Sequence, residues 1–567
     1  MRLPTLALTI TILSLMGCSD QDASDKQAAT PEKPDDSKAI GVCAWDKPGG
    51  SEDFFHVDQA YLTAQVVAGK NQEVFKYAFG KGDIIFGTAF TKDQGGGAKV
   101  DADERYTRMP RADATGPGEW ANQIPLRPTG PNAQACVECH NLPGEDGAGS
   151  NVANVHRDPP PYTGDPKRII QRNTPHLFGL GALQRLAEEM TAELKAVQYA
   201  AADEACKTKQ ETKKDLTAKG VYFGTITMSC ASGTAAVVNG GTHIEGVEPD
   251  LVVRPYEWKK SVTFVRDFMR GAGNNEIGMQ AVEIVGKGVD GDGDGKVDEL
   301  SVGDLTSFAV YMAAQPRPTT KLELEKLKLI APLKPEERDQ IARGGKLFAD
   351  IGCASCHQPK LALQDPIFKE PSQSPDYRDK PGTMPVDLAK EGVDPDHPVT
   401  FDLTRDQQDN VLCQGGKEIR LGAFDKVGGQ TVVELYGDLK RHYMGDALAE
   451  PINELGTGHM GYVPYDKADA IMPYEPSEED AKATFGTKEL WGTACTGPWM
   501  HDGRATTLRE AILLHGGEAD KSRQAFAALE ESGKKDVIGF LGNLVIYLKK
   551  AGDQQLGSLS DSCEVKD

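Results

Sequence analysis

The sequence predicts a mainly α-helical fold with long loops, and three observations support this prediction. Apolar residues recur at helical spacing in residues 57–90, 175–194, 336–348 and 535–550. Few segments show the alternation of apolar and polar residues that is typical of strands. Finally, two motifs of the form C-x-x-C-H occur in the chain, each after a segment of helical character.

The predicted helices are justified by their apolar positions and by the residues at their ends. The first segment carries Tyr61, Val66, Val67, Val74 and Phe75. Residues 175–194 open with a proline, and residues 336–348 lead into the second cysteine motif. The last segment has one apolar stripe, formed by Ile538, Leu541, Leu544, Val545 and Leu548. Residues 207–220 are strongly charged and predict a solvated surface segment, while residues 358–400, rich in proline and aspartate, predict a long loop.

The chain divides into four predicted regions. Residues 1–17 form a short apolar leader that ends before Cys18 and resembles a bacterial lipoprotein signal, so lipid attachment to Cys18 is expected. Residues 18–42 are polar and predict a flexible tether. Residues 43–330 and 331–567 each contain one C-x-x-C-H motif, and the proline-rich stretch near residue 316 separates them. Because a serine follows Cys18, we expect an anchor on the periplasmic side of the outer membrane, or a periplasmic protein if the anchor is absent.

The two C-x-x-C-H motifs predict covalent haem attachment. They are Cys136–His140 and Cys353–His357. Two thiols at this spacing can reach both vinyl groups of one porphyrin, and the adjacent histidine then serves as the proximal iron ligand. The alternative is a disulfide or zinc pair beside a chance histidine. Two copies in an exported chain favour haem, and hence two cytochrome c-like haem domains.

The other cysteines and the net charge limit which disulfides and which partners the chain can have. Six cysteines are left for up to three disulfides, with 15 possible connectivities; they are Cys43, Cys206, Cys230, Cys413, Cys495 and Cys563. The net charge of −22 argues against nucleic acid as a partner. The acidity is explained by a solvated surface or by a face that attracts a basic redox partner.

Residues 491–512 resemble the T-x-P-Y-x-H-D-G…L-x-x-A signature of bacterial dihaem cytochrome c peroxidases and the related MauG enzymes. The resemblance is closer to the dihaem oxidoreductase branch sometimes labelled "thiol oxidoreductase-like". It extends to further short motifs in the order of the chain, namely Leu177–Gly181, Gly303–Leu305, Met444–Gly445 and His515–Ala519. Together these motifs span most of residues 70–550.

For the second haem, the resemblance implies a distal ligand fourteen residues after the histidine of the HDG motif. Counting from His501 leads to His515, so ligation of this iron by His357 and His515 is expected. Histidine in place of methionine would lower the reduction potential. The alternatives are that His515 only caps a helix, or that Met444 or Met500 is the ligand.

For the first haem, the resemblance implies a distal histidine sixteen residues beyond the proximal one, which is His156. His156 could equally be a surface histidine, and His176 is a second candidate. The same region of the relatives supplies an acid–base carboxylate and a glutamine, which points to Gln184, Glu188 and Glu189 here. A carboxylate at this place would take a proton from peroxide and return it to the leaving oxygen.

An acidic loop at residues 290–299 predicts calcium binding. Its D-x-D-x-D-G pattern alternates oxygen donors, and glycine permits the sharp turn. The predicted site residues are Asp290, Asp292, Asp294, Lys296, Asp298 and Glu299. Position 12 of the loop is Ser301, which departs from the usual bidentate glutamate. A solvated acidic loop is the alternative.

The resemblance therefore implies a peroxidase-type enzyme. Electrons from a small cytochrome or another periplasmic redox protein would enter at the second haem, and hydrogen peroxide would be reduced at the first. Two alternatives stay open at this point. One is a MauG-like enzyme that oxidises a residue of a partner protein, and the other is a non-enzymatic electron conduit with both irons closed.

Overall fold

A computed structural model describes the parts of the chain in which the sites can be located. The described residues are 56–100, 103–105, 131–141, 147, 149, 155–157, 170–231, 233–408, 410–414, 417–450, 482–548, 558–559 and 563. The predicted signal, tether and lipidation site at Cys18 lie outside these residues, as does Cys43. No helix within the described ranges has the length and apolar character needed to cross a membrane.

The described residues contain α-helices throughout. Their bounds are α1 (Gln59–Val67), α2 (Asn71–Gly87), α3 (Leu180–Thr208), α4 (Val265–Ala272), α5 (Val282–Val285), α6 (Val302–Ala313), α7 (Lys321–Lys326), α8 (Pro335–Asp350), α9 (Leu508–Leu514), α10 (Asp520–Ala527) and α11 (Glu531–Leu541). Local sequence explains several of the starts. The Asp58 side chain accepts the first free N–H groups of α1, and Pro335 occupies the first turn of α8.

Short antiparallel strands lie between the helices. Their bounds are β1 (Ala98–Val100), β2 (Asp103–Arg105), β3 (Val155–Arg157), β4 (Ile170–Arg172), β5 (Thr212–Ala218), β6 (Val221–Ala231), β7 (Thr234–Val237), β8 (His243–Ile244), β9 (Thr319–Thr320), β10 (Leu361–Leu363), β11 (Ile367–Glu370), β12 (Val399–Asp402), β13 (Val411–Gln414), β14 (Lys417–Arg420), β15 (Asp425–Val427), β16 (Gln430–Val433), β17 (Arg441–Tyr443), β18 (Thr484–Gly486), β19 (Leu544–Val545), β20 (Tyr547–Leu548) and β21 (Ser558–Leu559). The largest sheet has the order β5-β6-β7, with β8 also paired to β6.

The fold is therefore mixed, and the prediction of a mainly α-helical chain needs correction. The charged segment 207–220 forms the end of α3 and strand β5, which pairs with β6. Only Leu216 and Ala218 are buried in β5, so its alternation is hidden among polar residues. The predicted helix 535–550 ends at Leu541, and residues 544–545 pair with β9 instead. The two cytochrome c-like domains and their boundaries stay predictions.

Two helix pairs form the packing centres next to the cysteine motifs. Helices α2 and α6 approach so closely that a Cβ atom at Gly82 would overlap the Ser307 carbonyl. Phe79 and Phe86 pack on the ring of Tyr311 across this contact. Helices α8 and α11 approach equally closely at Gly344, where the Asp536 carbonyl occupies the place of a side chain. Each cysteine motif thus rests against a rigid helix pair.

Two disulfides join distant parts of the described chain. Cys206 at the end of α3 is bonded to Cys230 of β6, and Cys495 is bonded to Cys563. Both bonds use cysteines of the predicted disulfide set. The four cysteines of the C-x-x-C-H motifs are not in disulfides, although each pair is close in sequence. This argues against the disulfide alternative for the two motifs.

Candidate functional site

The second motif follows α8 and lines a large cavity. The chain reverses after α8 at Gly352, whose φ of 92° is readily adopted only by glycine. A short 3₁₀ turn, Cys353–Ser355, then directs Cys353, Cys356 and His357 into the cavity. Burial raises the pKa of Cys353 to about 11, so its thiol is neutral rather than a reactive thiolate.

His357 and His515 face each other across this cavity. Their ring centroids are 6.4 Å apart. Two imidazoles that bind one metal ion at about 2 Å, with about 1.1 Å from nitrogen to ring centre, would have centroids about 6.3 Å apart. Met444 and Met500 also line the cavity. The spacing of the two rings therefore fits an iron between His357 and His515.

The outer nitrogen of each ring bonds a backbone carbonyl. His357 Nδ1 lies 3.1 Å from the Tyr436 carbonyl oxygen, and His515 Nδ1 lies 2.8 Å from that of Ala511. Such bonds orient a metal-binding imidazole and leave its other nitrogen for the metal. Burial is the main cause that lowers the pKa of both histidines, that of His357 to about 4. Both rings are thus neutral at pH 7, as metal ligation requires.

The first motif lies in a second cavity, beside α2 and α6. Cys136, Cys139 and His140 line it together with apolar side chains, among them Phe86, Leu180, Leu183, Met269 and Phe308. Burial raises the pKa of Cys136 to about 12 and lowers the pKa of His140 to about 4. Within the described residues, the His140 ring contacts Phe86 and no histidine ring. This lining is largely apolar. His176 also belongs to it, but among the described residues its ring does not contact that of His140 as His515 faces His357 in the other cavity.

The two candidate distal histidines of the first cavity are placed differently. His156 lies in β3, opposite Gln171 of β4. His176 lines both cavities and stacks on Phe178 at 6.0 Å. Burial lowers its pKa to about 4. His176 is thus a neutral imidazole in the wall between the cavities.

The predicted acid–base residues on α3 lie apart from the described lining of both cavities. Gln184 donates to Glu188 and accepts the Val265 N–H. Glu188 also binds Arg185, and Glu189 binds Lys219. These contacts hold α3 against its neighbours, so their placement favours a structural role.

The wall between the cavities contains residues that the sequence did not single out. Trp258 and Lys488 line both cavities. Trp258 Nε1 donates to the Asn173 carbonyl at 3.0 Å, and Lys488 Nζ lies 5.1 Å from the centroid of the indole ring. Burial lowers the pKa of Lys488 to about 8, partly offset by Glu489. A tryptophan with a cation over its ring thus separates the two candidate haem sites.

The HDG segment supports the same wall. The His501 ring stacks on Phe485 at 4.2 Å and meets Trp258 edge-on at 6.5 Å. The His501 carbonyl accepts the Asn173 N–H at 2.7 Å. Burial lowers the pKa of His501 to about 3, so it is a neutral packing residue. This packing gives a physical reason for the HDG histidine in the motif.

The acidic loop has the geometry expected of an oxygen-lined cation site. One carboxylate oxygen each from Asp290, Asp292 and Asp294 lie within 4.8 Å of one another. Gly295 has a φ of 92°, and its N–H donates to Asp290 Oδ2. Asp298 and Glu299 instead accept backbone N–H groups, from Gly288 and Gln280. Lys296 can offer only its carbonyl, because its side chain is cationic.

Comparison with known families bears on the segment that carries His501 and His515. Residues 477–544 match the family model described as "Di-haem oxidoreductase, putative peroxidase". The resemblance to the di-haem oxidoreductases is confirmed. This family implies haem as the cofactor and an oxidoreductase of peroxidase-like kind. No curated protein matches the sequence.

Several solved structures share weak similarity with the chain. Hydrazine synthase of Kuenenia stuttgartiensis is 13% identical, with 93% of this chain and 100% of that chain covered and a TM-score of 0.28. A MauG-like protein associated with microbial copper homeostasis is 14% identical, covering 65% and 89%, with a TM-score of 0.25. A variant of the diheme peroxidase BthA from Burkholderia thailandensis is 14% identical, covering 82% and 93%, with a TM-score of 0.30. Such TM-scores do not establish a shared fold.

Proposed function

We propose that this protein is a dihaem c-type cytochrome that reduces hydrogen peroxide with electrons from a small redox protein. The observation that carries the proposal is the inequality of the two cavities. One contains a facing pair, His357 and His515, at a spacing that fits a closed iron. The other is lined mostly by apolar residues and contains His140 and His176, whose rings are not in contact within the described residues. An iron with two strong axial ligands suits electron transfer, whereas an open iron can react with peroxide.

The chain's own residues would hold the two haems. Cys136 and Cys139 would bind one porphyrin covalently, and Cys353 and Cys356 the other. Burial raises the pKa of Cys136 and Cys353, which argues against a reactive thiolate at these two positions. When bound, the first haem supplies the redox chemistry with peroxide. The lining of its cavity is mostly apolar.

Proton transfer in the first cavity is assigned to Glu276. Glu276 lines this cavity, unlike the α3 carboxylates, and its charge interacts with Cys136. It belongs to the π-helix Gly273–Ile277, a distortion that is frequent at functional sites. A carboxylate there can take one proton from peroxide and return it to the leaving oxygen. The overall reaction consumes two electrons and two protons per peroxide and yields two waters.

Electrons would reach the first cavity through the shared wall. Trp258 lines both cavities, and its indole ring is held in place by the hydrogen bond from Nε1 to the Asn173 carbonyl. The donor would be a small cytochrome that docks near the second haem. The proposal also includes calcium binding by the loop Asp290–Asp294. It further includes lipid attachment at Cys18, which would hold the protein at the periplasmic face of the outer membrane.

Peroxide consumption by the holoprotein tests the proposal. We expect purified protein with a reduced small cytochrome c to oxidise two donor molecules per peroxide. We expect Glu276→Gln to lower kcat strongly, with haem content and the donor KM unchanged. Glu73→Gln is the matched control, because Glu73 is an exposed residue of α2, the helix beside the first cavity, and lies outside the cavity lining. Absence of donor turnover, with peroxide instead modifying a partner protein, would favour the MauG-like alternative. No reaction with peroxide at all would favour the alternative of a non-enzymatic electron-transfer protein.

A further inference from the structure

Glu518 connects the loop that carries His515 to strand β17. It lies three residues after His515, and its two carboxylate oxygens make separate contacts. Oε1 accepts the Tyr443 N–H at 2.9 Å, and Oε2 lies 2.7 Å from His442 Nδ1. The side chain of Glu518 is half exposed. The side chain of Glu518 therefore links the distal-ligand loop to two neighbouring residues of β17.

His442 is held between two carboxylates. Its Nε2 lies 2.8 Å from Asp438 Oδ2, on the side opposite Glu518. Asp438 is only 1% exposed and His442 only 7%. Burial lowers the pKa of His442, but the hydrogen bonds that its ring donates to Asp438 and Glu518 raise it well above the usual value. Both ring nitrogens thus donate, and the ring is a cation that bridges the two acids.

The same stretch of chain also supports the proximal ligand. The Tyr436 carbonyl, two residues before Asp438, accepts the hydrogen bond from His357. His442 Nδ1 lies 3.9 Å from the sulfur of Cys356. Residues 436–443 therefore contact the proximal histidine, a haem-attachment cysteine and the loop of the distal histidine.

Backbone packing brings the two loops into register. Gly517 has a φ of 54°, and a Cβ atom there would overlap the Tyr443 carbonyl. Gly445 is similarly close to the Gly517 backbone. These glycines allow the close approach, but they supply no attraction. The carboxylate of Glu518 adds attraction at this contact through its bonds to Tyr443 and His442.

We propose that Glu518, His442 and Asp438 form a latch that keeps His515 in the distal position of the second haem. The proposal rests on the proposed function, since it concerns the haem that stays closed. The three residues are positioning residues. They act on His515 indirectly, because they hold the loop that carries it close to residues 436–443. Opening the latch would free the sixth position of the second iron for external ligands.

Carbon monoxide binding to the dithionite-reduced holoprotein tests the latch. In the unmodified protein we expect carbon monoxide at the first haem only. In Glu518→Ala we expect a second phase of carbon monoxide binding, at the second haem. Its rate should be at least tenfold higher than any binding at the second haem of the unmodified protein. We also expect a high-spin signal in the EPR spectrum of the oxidised variant. Glu530→Ala is the control, because this exposed residue has no side-chain hydrogen bond at the start of α11.

Glu518→Gln and His442→Asn cover the case in which the alanine variant loses haem. Glu518→Gln keeps the acceptor for Tyr443 and loses the charge, so we expect an intermediate rate. A second haem that stays closed to carbon monoxide in all folded variants would overturn the latch. Carbon monoxide at both haems, or at neither, in the unmodified protein would instead contradict the proposed function, which separates the two failures.

Discussion

The cation over Trp258 predicts how hard this tryptophan is to oxidise. The ammonium of Lys488 lies 5.1 Å from the centre of the indole ring. A positive charge on that ring would be repelled by about 3 kcal/mol at an effective dielectric constant of about 20. For a one-electron oxidation this corresponds to about 140 mV. Replacing Lys488 by methionine should therefore make Trp258 easier to oxidise, by roughly two-hundredfold in the equilibrium constant.

Mass spectrometry after peroxide treatment at pH 7 measures this effect. We expect oxidised Trp258 to accumulate in Lys488→Met and to be scarce in the unmodified protein. Lys521→Met, a change at an exposed lysine, is the control. Because burial lowers the pKa of Lys488 to about 8, its amine is charged below that pH and neutral above it. The unmodified protein should therefore approach the variant as the pH rises through 8. Equal oxidation of Trp258 in both proteins at pH 7 would refute this reasoning.

Three further predictions concern stability and metal binding. Glu283→Gln removes the shared partner of two buried arginines of α4 and should destabilise the protein by about 3–5 kcal/mol, seen as a lower thermal midpoint with unchanged haem content. A Cys206→Ser, Cys230→Ser pair opens a loop of 24 residues and should cost about 3.5 kcal/mol, measured by urea unfolding; an unchanged midpoint would show that this bond adds no stability. Asp292→Asn should weaken calcium binding roughly tenfold or more by calorimetric titration, and equal affinity would place calcium elsewhere.

The sequence alone locates the residues of the second cavity's motif because C-x-x-C-H is a short local pattern. Cys353–His357 and the helix before it are encoded in neighbouring residues, and α8 begins and ends close to the predicted bounds. His515 was reached by counting from a family motif, and the structure places it opposite His357. Local patterns and a fixed spacing are enough in these cases.

The wall between the cavities could not be predicted in the same way. Trp258 and Lys488 are far apart in sequence, and neither belongs to a motif, so only tertiary packing brings them together. Glu188 was predicted from its position along α3 relative to the family. Helical spacing alone does not show which face of α3 meets the haem. Strand β5 escaped prediction because its exposed charges mask two buried residues.

The most direct test of the unequal haems is EPR spectroscopy of the as-isolated and half-reduced holoprotein. We predict one low-spin signal with two histidine ligands, which His515→Ala abolishes while the other haem is unchanged. We further predict a high-spin signal from the haem at Cys136–His140 after half-reduction. Two low-spin haems in every redox state, both unaffected by His515→Ala, would contradict the account.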